Sequence, residues 1–237
     1  MGPEAIDRIH DLFDEVDQKI ESLRSKINGI LDWVLWGLGW AVDKFRDLWD
    51  KAMAKLGEFW DKIREIVSYL GQPWDLNSTA DSWTEVGAPV AARGAEADRS
   101  QSQVDYEWKG RAADRYAASL AAQQKALTGV QSKLTAPIAP ALRSVATALY
   151  IFYGAVAAAI VILVAAILTA TGEAVSILGL PAVPPTVITG IVAALAAIAG
   201  ATLNLRSAAS GAQSVFAQVA AETADFGERD WPAAVVS

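Results

Sequence analysis

The sequence predicts an all-α protein in which long amphipathic helices and a helical hairpin form a bundle, joined by a hydrophobic hairpin of transmembrane type. Apolar residues recur at steps of three and four through residues 6–70 and again on both sides of residues 108–110, which is the spacing of one helix face. Between Arg143 and Arg206 the only charged residue is Glu173. We therefore divide the chain into regions 1–71, 72–143, 144–205 and 206–237, the last being a C-terminal helix and tail.

Composition argues against several classes of function. The formal net charge is −7, whereas nucleic-acid binding needs a basic face, so we expect no nucleic-acid partner. The chain has no Cys and a single His, His10, which lies in an amphipathic repeat and suits a helix surface better than a zinc site. No phosphate-binding loop, nucleophile elbow or metal-ligand spacing is present. We expect a non-enzymatic protein without a cofactor or a metal.

The first region begins with a heptad-like seam, which predicts a long helix that meets a partner helix as in a coiled coil. The seam residues are Ile6, Ile9, Phe13, Val16, Ile20, Leu23, Ile27, Ile30 and Val34. Gly37 and Gly39 follow and favour a bend or a tight hairpin. Trp33, Trp36 and Trp40 cluster at this point.

Residues 43–70 form a second amphipathic segment with a face rich in aromatic residues. That face is made of Phe45, Leu48, Trp49, Ala52, Leu56, Phe59, Trp60, Ile63, Ile66, Val67 and Leu70. The pattern resembles the amphipathic helices of apolipoproteins, in which aromatic residues enter the lipid boundary while Lys and Arg reach the headgroups. An ordinary bundle helix has the same periodicity. Because Trp is enriched at membrane interfaces, we predict interfacial roles for Trp33, Trp36, Trp40, Trp49 and Trp60.

Residues 145–170 and 185–205 are apolar runs, each long enough to cross a bilayer as a helix. The connector between them contains Gly, Pro and Glu173, which we place at the tip of a helical hairpin near the far membrane surface. Arg143 and Arg206 flank its open end, in keeping with the positive-inside tendency. The alternatives are a hairpin buried in a soluble bundle, with Gly190 and Gly200 permitting close packing, and a hairpin that inserts conditionally.

Two further apolar stripes, over residues 75–104 and 110–143, predict an antiparallel hairpin that turns at Trp108-Lys109-Gly110. Gly110 would allow either close backbone packing or a dihedral closed to other residues. Trp108 would supply a large apolar plate at the end of the hairpin.

The motif "WKG", preceded by "PWDLNSTADSWTEVG" and followed by "RAADRYAASLAAQ", resembles the Trp-x-Gly (WXG) family of type VII (ESX) secretion substrates over residues 72–143. The resemblance implies helical hairpins that pair into four-helix bundles and are exported by an ATP-driven membrane machine without a cleaved signal peptide. It places Trp108 and Gly110 at the family's turn, where they could face that machinery. The chain departs from the family in having no Tyr four residues before an Asp or Glu.

Two functional hypotheses follow. The first is a membrane-associated substrate or effector of a type VII pathway that inserts its hydrophobic hairpin into a bilayer. Its architecture is similar to that of helical pore-forming toxins, an analogy of fold alone. The second is a structural or partner-binding protein with a permanent hairpin anchor. The expected partners are a lipid bilayer, a helical protein or a second copy of this chain, and the type VII secretion machinery.

Overall fold

The computed structural model of the chain describes residues 4–34, 39–69, 71–174, 180–222 and 231–232. Within those ranges every regular element is helical, which confirms the predicted all-α class. The long helices are α1 (Glu4–Val34), α2 (Gly39–Tyr69), α3 (Pro73–Glu107), α4 (Arg111–Gly129), α5 (Ala136–Glu173) and α6 (Val183–Ala221). A π-helical segment, Val130–Thr135, joins α4 to α5, and a short 3₁₀ turn, Leu180–Ala182, precedes α6.

The helices run through the predicted boundary between regions 72–143 and 144–205. Arg143 lies inside α5, and the chain is helical without interruption from Arg111 to Glu173. Composition changes sharply here, but residues 141–153 contain neither Gly nor Pro to stop a helix. The π-helical segment lies just before Pro137 and Pro140 in the sequence. Neither proline has the N–H that a regular helical turn needs, so the hydrogen-bond pattern changes ahead of them.

The chain divides into two compact units. The first comprises Met1–Gly71 and Ala148–Leu205, and we call it the hairpin unit. The second comprises Gln72–Thr147 and Arg206–Ser237, and we call it the turn unit. Each unit therefore combines two of the four regions that the sequence suggested.

In the hairpin unit, α1 and α2 pack through their apolar stripes. The rings of Phe13 and Trp60 meet edge to face with centroids 4.7 Å apart. At the border of this contact, Arg64 donates to Asp17 at 2.7 Å. The buried residues are Phe13, Val16, Leu23 and Ile27 on α1, and Phe45, Trp49, Ala52, Leu56, Phe59, Trp60, Ile63 and Val67 on α2. All of them belong to the two predicted stripes. Leu48, which was also predicted on the apolar face of α2, is instead 38% exposed.

In the turn unit, α3 and α4 form the predicted hairpin, and small residues of α3 let them approach closely. A Cβ atom on Gly87 would collide with Oγ1 of Thr135, and one on Gly94 would lie 2.9 Å from Cγ2 of Thr128. A side chain at either glycine would therefore have to displace a threonine of the opposite arm of the hairpin. Arg143, which donates to Asp81 at 2.7 Å, adds an ion pair between the arms.

The turn itself depends on the conformation of Gly110. This residue has φ 107° and ψ 176°, a region open to glycine and strained for other residues. Its carbonyl oxygen accepts the N–H of Asp114 at 3.1 Å, which starts α4. A Cβ atom on Gly110 would meet nothing within 4 Å. Of the two roles considered for Gly110, the structure therefore supports the special dihedral and not close packing.

We expect Gly110→Ala to lower the free energy of unfolding by about 1–3 kcal/mol, because alanine would be strained at this φ. Gly211→Ala is the matched control in the same unit, since Gly211 is an exposed helical residue with open space around it. That control should gain about 0.5–1 kcal/mol from better helix propensity. Urea denaturation followed by circular dichroism measures both changes. Equal effects of the two substitutions would contradict the strained turn.

Candidate functional site

The hydrophobic hairpin is formed by α5 and α6, whose buried residues recur at steps of three and four. The buried positions include Phe152, Val156, Ala159, Ile160, Leu163, Ile167 and Ala170 on α5, and Val183, Val187, Ile191, Ala194, Ile198 and Ala201 on α6. A Cβ atom on Gly190 would collide with Cβ of Ala166, so the two backbones approach closely there. Gly200 has no such neighbour. Gly190 alone of the two therefore has the predicted packing role.

The remaining faces of the hairpin are apolar and uncovered. Large apolar residues that are 38–67% exposed are Ile151, Val161, Leu168, Ile188, Val192, Leu195 and Leu203. Only 39% of the most apolar stretch in the helix ending at Glu173, and 33% of that in α6, is buried. Both helices are long and apolar enough to cross a membrane. Exposed apolar patches of this kind mark interaction surfaces for a partner or a membrane.

Glu173 ends α5 and contacts the first turn of α6. Its Oε1 accepts a hydrogen bond from Oγ1 of Thr186 at 3.1 Å. Its Oε2 is buried and has no hydrogen-bond partner. Sequence reasoning placed Glu173 at the tip but missed Thr186, because a hydroxyl 13 residues away carries no pairing signal of its own. Glu173 and Thr186 thus join the two helices near the closed end of the hairpin.

Trp108 lies at the turn between α3 and α4, but it is 46% exposed. Its ring packs beside Tyr116 with centroids 6.0 Å apart. Tyr106, on the other side of the motif, is 86% exposed. Trp108 is thus only half-covered at the end of the hairpin, and the turn presents aromatic rings to solvent. Such exposure suits a residue that contacts a partner better than one that holds the fold together.

Two of the tryptophan residues predicted to lie at a membrane interface, Trp49 and Trp60, are buried inside the protein. Trp49 and Trp60 are 7% and 5% exposed, so the aromatic face of α2 is covered by protein in this structure. Nε1 of Trp60 is buried without a hydrogen-bond partner, and the guanidinium carbon of Arg64 lies 5.8 Å from the ring centre. Lipid contact by this face would require α1 and α2 to separate. Trp36 lies outside the described residues, as do the side chains of Trp33 and Trp40.

Among the described residues, no group of three or more His, Cys, Asp or Glu side chains is arranged to hold a metal ion. No family model, curated protein or solved structure matches this chain. The resemblance to WXG proteins therefore remains an expectation from the sequence motif.

Proposed function

We propose that the protein associates with membranes by inserting the α5–α6 hairpin into a lipid bilayer. The observation that carries this proposal is the exposed apolar surface of the hairpin, which includes Val161, Val192 and Leu195. These exposed residues lie beside the buried apolar residues of the same helices. Both helices are therefore apolar nearly all round. A helix of that kind is stable in a membrane or in the core of a large protein.

The charge distribution supports insertion as a hairpin with both ends on one side. Arg143 and Arg206 bound the apolar stretch, and Glu173 is its only charged residue. A hairpin buried in this chain's own bundle is disfavoured, because most of each apolar stretch remains uncovered. The amphipathic helices α1 and α2 supply a charged outer surface that suits a water-soluble state before insertion.

The topology can be tested with single cysteines, because the native chain has none. Ser144, Gly172 and Ser207 are exposed positions beside Arg143, Glu173 and Arg206. A fluorophore would be attached to each Cys variant before phosphatidylcholine vesicles are added, over a range from about pH 7.5 to about pH 4. Iodide added outside should quench the labels at residues 144 and 207, while the label at residue 172 becomes protected.

Quenching of all three labels at every pH, despite flotation with the vesicles, would show a surface-bound protein and overturn insertion. Absence of flotation at every pH would favour a soluble bundle. If the protein can be purified only in detergent, because it inserts during synthesis, the result would support the hypothesis of a permanent hairpin anchor. Release of a trapped dye in step with protection of residue 172 would extend the proposal to pore formation.

We further propose that the chain is exported as a type VII (ESX-like) substrate or effector. The support is the Trp-Lys-Gly turn between two packed helices, with Gly110 in a glycine-specific conformation and Trp108 exposed. An exposed aromatic side chain on a rigid turn can contact an export machine while the helical hairpin remains folded. A helical protein or a second copy of this chain could complete the four-helix bundle that the resemblance implies.

Export can be measured as the secreted fraction in a bacterial host that has a type VII machine. Trp108→Ala should lose secretion while its helical content and cellular level stay unchanged. Trp83→Ala is the matched control, since Trp83 is also an exposed tryptophan, in the middle of α3. Equal secretion of the two variants would overturn a role of the turn in export.

A further inference from the structure

We propose that Glu173 is a proton-binding site that controls insertion, so that the closed end of the hairpin crosses the bilayer only with this carboxyl group protonated. The inference rests on the proposed membrane insertion and adds the condition under which it occurs. The site lies at the junction of α5 and α6, where Glu173 meets Thr186.

Glu173 alone determines the charge of the apolar hairpin. It is the only Asp, Glu, Lys, Arg or His between Arg143 and Arg206. When both ends of a hairpin remain on one side, the closed end must pass through hydrocarbon. An ionised carboxylate strongly opposes that passage, whereas a carboxylic acid is neutral.

The structure identifies the atom that would take the proton. Thr186 donates to Oε1, which leaves Oε2 buried and without a donor. A buried anionic oxygen without a hydrogen bond is unfavourable, and protonation of Oε2 removes the charge while the bond to Oε1 remains. Oε2 is therefore already shielded from water before the hairpin reaches a membrane, although Glu173 as a whole is only half-buried.

No described basic group compensates this carboxylate. On α6 the residue that contacts it is Thr186, which does not titrate in this range. The charged residues of α1 and α2 with described partners pair among themselves, as Arg64 does with Asp17, and none forms an ion pair or hydrogen bond with Glu173. Protonation thus changes the hairpin from singly charged to neutral without breaking an ion pair.

The direction of the pH effect follows from which form is inserted. Protonation of a carboxyl group removes its charge, and the neutral form is the one that can cross hydrocarbon. Insertion should therefore increase as pH falls and decrease as pH rises. One carboxyl group per chain implies uptake of one proton per inserted hairpin.

The test compares the full chain with Glu173→Gln and Glu85→Gln, using the fluorophore at residue 172 with phosphatidylcholine vesicles and external iodide. Gln keeps an acceptor for Thr186 and carries no charge. Glu85, an exposed carboxylate on α3, is the matched control. We expect the parent chain and Glu85→Gln to insert at about pH 4 and not at about pH 7.5. Glu173→Gln should insert at both, exceeding the parent chain at the higher pH by at least about tenfold.

The same pH dependence in the parent chain and Glu173→Gln would overturn the proton site while leaving insertion intact. Insertion of the parent chain at both pH values would do the same. If neither chain inserts at any pH, the proposed function itself fails. Far-ultraviolet circular dichroism in the absence of lipid checks that Glu173→Gln keeps the parent's helical content, so a folding defect is distinguished from a change in gating.

Discussion

Replacing Trp60 with Ala should lower the free energy of unfolding of the hairpin unit by about 3–5 kcal/mol, the usual effect of removing a buried aromatic side chain. Trp60 is 5% exposed and packs edge to face on Phe13. Such a ring contact adds about 0.5–1.5 kcal/mol beyond the burial of apolar area. Arg64, which lies near both rings, would lose part of its packing as well.

Two further variants make this prediction specific. Trp60→Phe should cost less than about 1.5 kcal/mol, because it keeps most of the ring and removes the buried Nε1–H that has no partner. Trp108→Ala should cost only about 1 kcal/mol, because that ring is half exposed. Urea denaturation followed by circular dichroism gives all three values. A near-zero effect of Trp60→Ala would show that the aromatic face of α2 is not part of the core in solution.

Replacing Val192 with Arg should reduce insertion of the hairpin by about 100-fold, since a central Arg costs about 2.5–3.5 kcal/mol on insertion scales. Val192 is 59% exposed, so the new side chain points away from the buried seam and the lipid-free fold should be little changed. Ile160 is unsuitable for the same experiment, because it is 1% exposed and Arg there would disrupt the core. Flotation with phosphatidylcholine vesicles under conditions that allow insertion measures the effect.

Ala217→Arg is the matched control for this substitution. Ala217 is also an exposed residue of α6, but it lies beyond Arg206 and outside the apolar stretch. This variant should float with vesicles like the parent chain. If Val192→Arg floats equally well, the exposed apolar face does not enter lipid, and it would instead be a surface for a protein partner.

The secondary structure followed from local properties of the sequence. The stripes on α1 and α2 and the length of the two apolar runs depend only on residue spacing and composition. The glycine-dependent turn at residue 110 was predictable because the neighbouring stripes end on each side of it. The continuation of the helix through residue 143 was not predictable from composition. A helix ends at residues such as Gly or Pro, and a change from polar to apolar side chains does not end it.

The candidate site was predictable only in part. The position of Glu173 between two apolar runs made it a candidate from sequence alone, but its contact with Thr186 depends on how α5 and α6 pair. Gly190 and Gly200 were equivalent in sequence, and the packed structure distinguishes them, since only Gly190 meets the opposite helix.

The sequence by itself determined that this protein is helical, that residues 145–170 and 185–205 suit hydrocarbon, and that Glu173 is their only charge, because each of these is a property of residues close along the chain. Only the tertiary structure decided what each apolar face touches. An amphipathic stripe satisfies a lipid boundary and a neighbouring helix equally well, so periodicity could not tell that Trp60 is buried against Phe13. Exposure likewise depends on the surrounding packing, which left Trp108 accessible and much of the hydrophobic hairpin uncovered.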